Sequence, residues 1–368
     1  MMQKALWALA IALYAVVLGC SWQADGTVAH AAEPADNAPL PPYSATQPAG
    51  LPFRCVGMQI QRVDWLDKYK KSIDEIAGLG ADAVKFVVDA RQENGSSSRI
   101  YLDMRMTPTP EQLGGLIKYA KSKGLRVVVM PIVLLDKPRD NEWRGRIAPE
   151  SWNEWWQSYR EIISHFAWIA QGNGADILVV GSELISTESN VEEWTATIKQ
   201  ARSIFKGKLT YSSNWDHYTK VKVWDQLDFI GMNSYWTLGK GPDASIDEIK
   251  TSWKGIQREV FAFQQKIRKP IFLLEVGWCS MNNMATEPWD YTKSESEAPT
   301  DDDLQRRLYE GFFESWHGRP ELGGFSIWEW TPTADEGDEH GQEEARRGYT
   351  PEGKPAEEVL KKWLAKKW

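Results

Sequence analysis

The chain has 368 residues, is 42% hydrophobic and 26% charged, and carries a net charge of −8. These are ordinary globular values that exclude a disordered, collagenous or multi-span membrane protein, and the acidic balance argues against nucleic acid as a partner. Three cysteines are too few for a disulfide framework, whereas twenty tryptophans supply aromatic faces suited to stacking on the C–H faces of sugar rings.

In chain order, Lys4 precedes an apolar run, Ala5 to Leu18, that is short for a membrane span and fits a signal peptide. The run ends Val17-Leu18-Gly19-Cys20, which resembles a bacterial lipobox. Residues 1–20 are therefore expected to be a lipoprotein signal peptide, with Cys20 lipidated and the protein exported and held at a membrane. The alternative is a plain signal peptide cut at a small residue such as Ala32. Residues 21–52 are rich in Ala and Pro and read as a flexible tether. The remaining cysteines, Cys55 and Cys279, are expected to stay reduced.

Residues 53–368 read as one domain. Eight strand-like runs follow: Val56–Gln61, Ala83–Asp89, Arg126–Leu134, Ile177–Gly181, Leu209–Ser213, Phe229–Asn233, Ile271–Val276 and Phe325–Trp330. Most are continuous and rich in Val, Ile and Phe, as parallel strands buried on both faces should be. Helical patterns separate them at Leu66–Gly78, Pro110–Lys123, Glu150–Ala170, Val191–Phe205, Ile246–Ile267 and Asp302–Trp316, with a last one at Ala356–Lys366. The segment Val221–Gln226 has room only for a short helix. Thr109-Pro110-Glu111 is a helix start, and Gly124 a stop. Eight βα units without a second core predict a single (β/α)8 TIM barrel. The competing fold, an open doubly wound sheet, lacks the Gly-rich phosphate turn that its nucleotide-binding forms require; Gly78-Leu79-Gly80 reads as a helix cap.

A barrel places its active site at the C-terminal strand ends. The fourth run closes on Gly181-Ser182-Glu183 and the seventh carries Glu275 after four apolar residues. A carboxylate in such a place is costly unless paired or used. Strands four and seven face each other across an eight-membered ring. Two facing carboxyls among many tryptophans suggest glycoside hydrolysis, which needs one protonated and one ionised carboxyl flanking the anomeric carbon.

Gly181-Ser182-Glu183, Leu273-Leu274-Glu275-Val276-Gly277-Trp278 and Asp228-Phe229-Ile230-Gly231-Met232-Asn233-Ser234-Tyr235-Trp236 resemble clan A glycoside hydrolases. With Phe325-Ser326-Ile327-Trp328-Glu329-Trp330-Thr331-Pro332 and the closing Gly348 to Ala356, the chain is most similar to glycoside hydrolase family 113, whose described activity is β-mannanase. The resemblance runs from Arg54 to the C-terminus and is specific at strands four, six, seven and eight. It implies a retaining mechanism on β-linked polysaccharide, mannan first, with Glu183 as acid/base, Glu275 as nucleophile and Tyr235 hydrogen-bonded to the nucleophile. Much of the clan has Asn before the acid/base; here that position is Ser182, whose hydroxyl reaches the sugar only through water. A glucanase-type enzyme of the same clan and a catalytically silent glycan-binding lipoprotein are the competing readings.

Further substrate contacts are expected at Asn214, Trp215, Asn233, Trp236, Trp278 and Trp328, the last as a platform under the reacting sugar. Lys85, inside the second strand, is either a cation near the nucleophile or part of a bottom-layer salt bridge. Glu329 is the rival acid; if Trp328 and Trp330 face the site, strand alternation turns it away. Trp152, Trp155, Trp156 and Trp168 read as packing residues of one long helix. The acidic stretch Asp335 to His340 reads as a solvated loop. No metal or organic cofactor and no nucleic-acid partner is expected, and the protein is expected to be a monomer.

Overall fold

The computed structural model describes residues 50–332 and 338–368, with Glu339 and His340 described in backbone only. The expected signal peptide, Cys20, the tether up to residue 49 and Asp335 to Gly337 of the acidic stretch lie outside the described residues. The elements are β1 (Phe53–Gln59), α1 (Leu66–Gly78), β2 (Ala83–Gln92), β3 (Ile100–Tyr101), α2 (Pro110–Ser122), β4 (Arg126–Leu135), α3 (Trp152–Asn173), β5 (Ile177–Ser182), α4 (Val191–Ile204), β6 (Lys208–Ser212), β7 (Ile230–Asn233), α5 (Ile246–Ile267), β8 (Ile271–Val276), α6 (Asp302–Trp316), β9 (Leu322–Ile327), α7 (Glu339–Arg347) and α8 (Pro355–Leu364).

Eight parallel strands form a nearly closed TIM barrel in the order β6-β5-β4-β2-β1-β9-β8-β7, with the short β3 paired to the end of β2. The seam between β6 and β7 is spanned by Ser213 N–H donating to the Gly231 carbonyl (3.1 Å) and Asn233 N–H to the Ser213 carbonyl (2.9 Å). Glycine is required there. A Cβ on Gly231 would stand 2.2 Å from the Tyr211 carbonyl oxygen and force the seam apart.

The inward faces fill the barrel. Its floor is a ring cluster of Phe53, Phe229 and Phe272, with centroids 5.5–6.2 Å apart. The outward faces pack under the helices, where Trp155, Trp156 and Tyr159 of α3 are buried. Trp168 departs from the expected packing role: it is 67% exposed. Thirteen residues from Trp155 is roughly 3.6 turns, which carries Trp168 to the far side of the helix. The Thr109 cap of α2 is a full capping box with Gln112.

Other departures have local causes. β9 starts at Leu322 rather than Phe325 and runs through Gly323-Gly324, where the Phe272 ring lies 3.0 Å from the position a Gly324 Cβ would take. It also ends at Ile327, short of Trp330. Helix α7 begins within the acidic stretch, taking in its last two residues, Glu339 and His340, where loop was expected. The segment expected to hold a short helix contains a three-residue 3-10 turn, Trp224–Gln226. The end of the tether is docked rather than free: Arg126 donates to the carbonyls of Gly50 and Pro52 at the barrel floor. Cys55 and Cys279 are buried free thiols.

Candidate active site

Glu183 stands immediately beyond β5, and its backbone is unusual. It has φ 55°, a left-handed conformation that costs a non-glycine residue about 1–2 kcal/mol. A register shift between Val179 and Ser182 precedes it. The turn is held by Glu183 N–H donating to the Ser212 carbonyl (2.8 Å) and Leu184 N–H donating to the Tyr211 hydroxyl (2.9 Å). The Glu183 side chain is nearly buried, at 7% exposure.

Glu275 lies in β8, where a second register shift against β7 pairs it with Asn233. It is 5% exposed, and the Tyr235 hydroxyl donates to its Oε2 at 2.8 Å. Asn233 joins the two acids. Its backbone is the register partner of Glu275, its amide nitrogen donates to Glu183 Oε1, and its amide oxygen accepts from Trp215 N–H at 2.7 Å. The two carboxyls therefore share one mouth and interact electrostatically.

Two cations set the local field. Arg144, from a 3-10 turn in the loop after β4, donates to Glu183 Oε2 and pairs with it. Burial pushes the Glu183 carboxyl above the usual carboxylate range, and the Arg144 guanidinium opposes that shift without cancelling it. Lys85 is fully buried inside the barrel, donates to the Leu274 carbonyl and sits 4.7 Å from the Trp328 ring centroid. Burial pulls its ammonium below the ordinary lysine value, while Glu275, Glu329 and Glu183 pull it up. Lys85 thus lies beneath the acids with no exposed surface to offer a ligand. It stands as a cation within electrostatic reach of Glu275, and its hydrogen bond goes to a backbone carbonyl rather than to a carboxylate.

The aromatic residues divide. Trp215 stacks on Trp289 (5.9 Å, 19° between planes) and meets Trp236 edge-on at 6.0 Å; all three are partly exposed near the strand ends. Trp328 is also partly exposed, above Lys85. Trp278 is fully buried against Tyr309 of α6, so it stands in the helix layer rather than at the mouth. Asn214 is fully buried, and neither amide atom has a hydrogen-bond partner among the described residues; the same holds for the Ser182 hydroxyl. Glu329 is not governed by alternation, since β9 has already ended. Trp330 turns out to α1 and donates to Glu75, whereas Glu329 accepts from Gln59 at 2.8 Å, within electrostatic reach of Lys85 and Glu275. Burial pushes its carboxyl up to about 8.

A model of glycoside hydrolase family 113 matches residues 55–354. The chain belongs to glycoside hydrolase family 113. Solved structures agree with this membership. A family 113 β-1,4-mannanase is 25% identical, with 86% of this chain and 100% of that chain covered and a TM-score of 0.75. A family 113 β-mannanase from Alicyclobacillus acidocaldarius, in complex with ManMIm, is 26% identical over 86% of this chain and 98% of that chain, with a TM-score of 0.74. A family 5 enzyme from Bifidobacterium longum shares only the fold, at 13% identity over 85% of this chain and 79% of that chain and a TM-score of 0.56. A search of curated proteins finds no match.

In this family 113 glycoside hydrolase, the structure adds residues that strand patterns do not reveal. Arg144 comes from a loop without periodicity. Its one sequence signal is Trp143-Arg144-Gly145-Arg146, where Gly145 lets the Trp143 ring fold within 2.3 Å of the position a Cβ would take. Gln59 closes β1 as a polar residue after an apolar run, the same signal that marks Glu183 and Glu275.

Proposed function

We propose that this glycoside hydrolase cleaves β-1,4-linked mannan with retention of configuration, using Glu183 as acid/base and Glu275 as nucleophile. The observation that carries the reading is the Asn233 bridge, which ties a proton-retaining carboxyl to a second carboxyl fixed by a tyrosine hydroxyl. The substrate follows from the mannanases that the chain resembles.

In the first step Glu183 gives its proton to the glycosidic oxygen while a Glu275 oxygen attacks the anomeric carbon, and the aglycone leaves. The second step reverses the roles. Glu183, now a carboxylate, takes a proton from water, and that water displaces Glu275 from the sugar. Two inversions give net retention. Burial suits Glu183 to the acid step, and the Arg144 charge suits it to the base step. Trp328 and the Trp215–Trp289–Trp236 group supply sugar-stacking faces. Ser182 stands where much of the clan has an amide, and its hydroxyl is buried.

The test is reducing-sugar release across mannans, glucans and xylans. Release from mannan is expected. Release confined to glucan would make the protein another clan A β-glycanase, and binding without release would overturn the enzymatic reading. A second expectation concerns Arg144→Met. Without the guanidinium, burial of Glu183 is unopposed and the proton is held to higher pH. The alkaline limb of kcat/KM against pH then moves upward; a limb that stays or falls excludes Glu183 as the titrating acid.

A further inference from the structure

A hydrogen-bond chain behind the acid/base has no part in the steps above. Tyr211 of β6 points away from the barrel axis, its ring wedged edge-on against Trp194 (5.0 Å) and tilted against Trp224 (6.2 Å). Its hydroxyl accepts from Leu184 N–H at 2.9 Å and donates to Glu188 Oε1 at 2.9 Å. Glu188 is 5% exposed and follows the 3-10 turn Ile185–Thr187. That turn is closed by the Thr187 hydroxyl donating to the Leu184 carbonyl (2.7 Å) and by Trp194 Nε1 donating to the Thr187 carbonyl (3.1 Å). Leu184 directly follows the one left-handed residue of the site.

We propose that Tyr211 and Glu188 are positioning residues for Glu183: the chain from the Glu188 carboxyl through the Tyr211 hydroxyl to Leu184 N–H holds Glu183 in its left-handed turn and so aims its carboxyl. This rests on the reading of Glu183 as acid/base. The turn is intrinsically unfavourable, and the Leu184 N–H is buried. Losing its acceptor leaves a buried donor unsatisfied, a penalty comparable to the strain it offsets, so the turn relaxes when the hydroxyl is removed. Glu188 matters because a phenol has one proton. Donating it to Glu188 turns an oxygen lone pair toward Leu184. Tyr211, Asp216, His217 and Glu183 face Glu188 electrostatically, and burial pushes its carboxyl up to about 7, so a neutral amide is a fair mimic of its protonated form.

The test separates aiming from packing. A mis-aimed acid fails on a poor leaving group but not on one that leaves unprotonated. With azide as the acceptor, no general base is needed either. Full-length Tyr211→Phe, Glu188→Leu and Glu188→Gln are assayed on an unactivated β-1,4-manno-oligosaccharide and on its dinitrophenyl glycoside with azide. Tyr211→Phe and Glu188→Leu should lower kcat on the first roughly ten- to a hundred-fold, with KM little changed, and lower the second at least tenfold less. Glu188→Gln, which keeps an acceptor, should restore both to within about threefold of wild type. Equal losses on the two substrates, or none, would overturn the proposal. If Tyr211→Phe does not fold, the Leu and Gln pair decides alone. A wild type inactive on both substrates would overturn the acid/base reading, and this inference with it.

Discussion

Glu275→Ala and Glu183→Ala should both lose turnover on mannan, and on a dinitrophenyl glycoside, whose leaving group departs unprotonated, azide should rescue them with opposite stereochemistry. Deleting the nucleophile removes the covalent route, a loss of at least about 10⁴-fold. Azide can then enter the space left by Glu275 and displace the aglycone in one inversion, giving an α-glycosyl azide. Deleting Glu183 removes proton transfer in both steps, roughly 10²–10⁴-fold on an unactivated substrate. Glu275 still attacks, and azide displaces it in a second inversion, giving the β-azide. Nuclear magnetic resonance of the two products reads the anomeric configuration directly. The same anomer from both variants, or the two configurations exchanged, would rule out Glu183 as acid/base and Glu275 as nucleophile. The Asn233 bridge and the Tyr235 hydrogen bond make the roles unequal, because only Glu183 also meets a guanidinium.

Glu329→Gln should stabilise the fold at alkaline pH and leave it unchanged in acid. Below the ordinary carboxylate range Glu329 is neutral whether folded or unfolded, and glutamine is close to isosteric with it. The folded carboxyl is pushed up to about 8 by burial, chiefly, with Glu344 and Glu275 adding and Gln59 and Lys85 opposing. As pH rises from the carboxylate range toward 8, the unfolded chain ionises while the fold resists. Stability is therefore present at low pH and lost through that window. Glutamine removes the loss and still accepts from Gln59. The difference in unfolding free energy should be near zero at about pH 4 and reach on the order of 3–5 kcal/mol at about pH 9, measured by urea titration. A gain independent of pH would show that Glu329 is solvated rather than buried against Lys85 and Glu275.

The legible part of the site is the part carried by strands. Glu183, Glu275, Asn233 and Tyr235 each end or follow an apolar run, and burial of these strands on both faces makes any polar residue there conspicuous. Trp278 has the same signal yet belongs to the helix layer, because the chain turns outward after β8. Alternation gives Glu329 a direction, but β9 stops at Ile327 and the rule stops with it. Periodicity leaves two alternatives for Lys85, a cation near Glu275 or a bottom-layer salt bridge, and only the fold shows its contacts: a backbone carbonyl, an indole face and the field of Glu275. Arg144, Glu188 and Tyr211 are invisible as a group. Their meeting depends on where two loops and one outward strand face come to rest.

The order of apolar runs and amphipathic stretches was enough to determine the barrel, its eight strands and which two of them carry the acids. Those features follow from local periodicity and from the short connections that periodicity leaves. Only the tertiary structure decided what surrounds the acids: the guanidinium on Glu183, the tyrosine on Glu275, the lysine below and the left-handed turn behind. Electrostatic environment and backbone strain depend on distances of a few ångströms between residues far apart in the chain, and no repeat in the sequence encodes them.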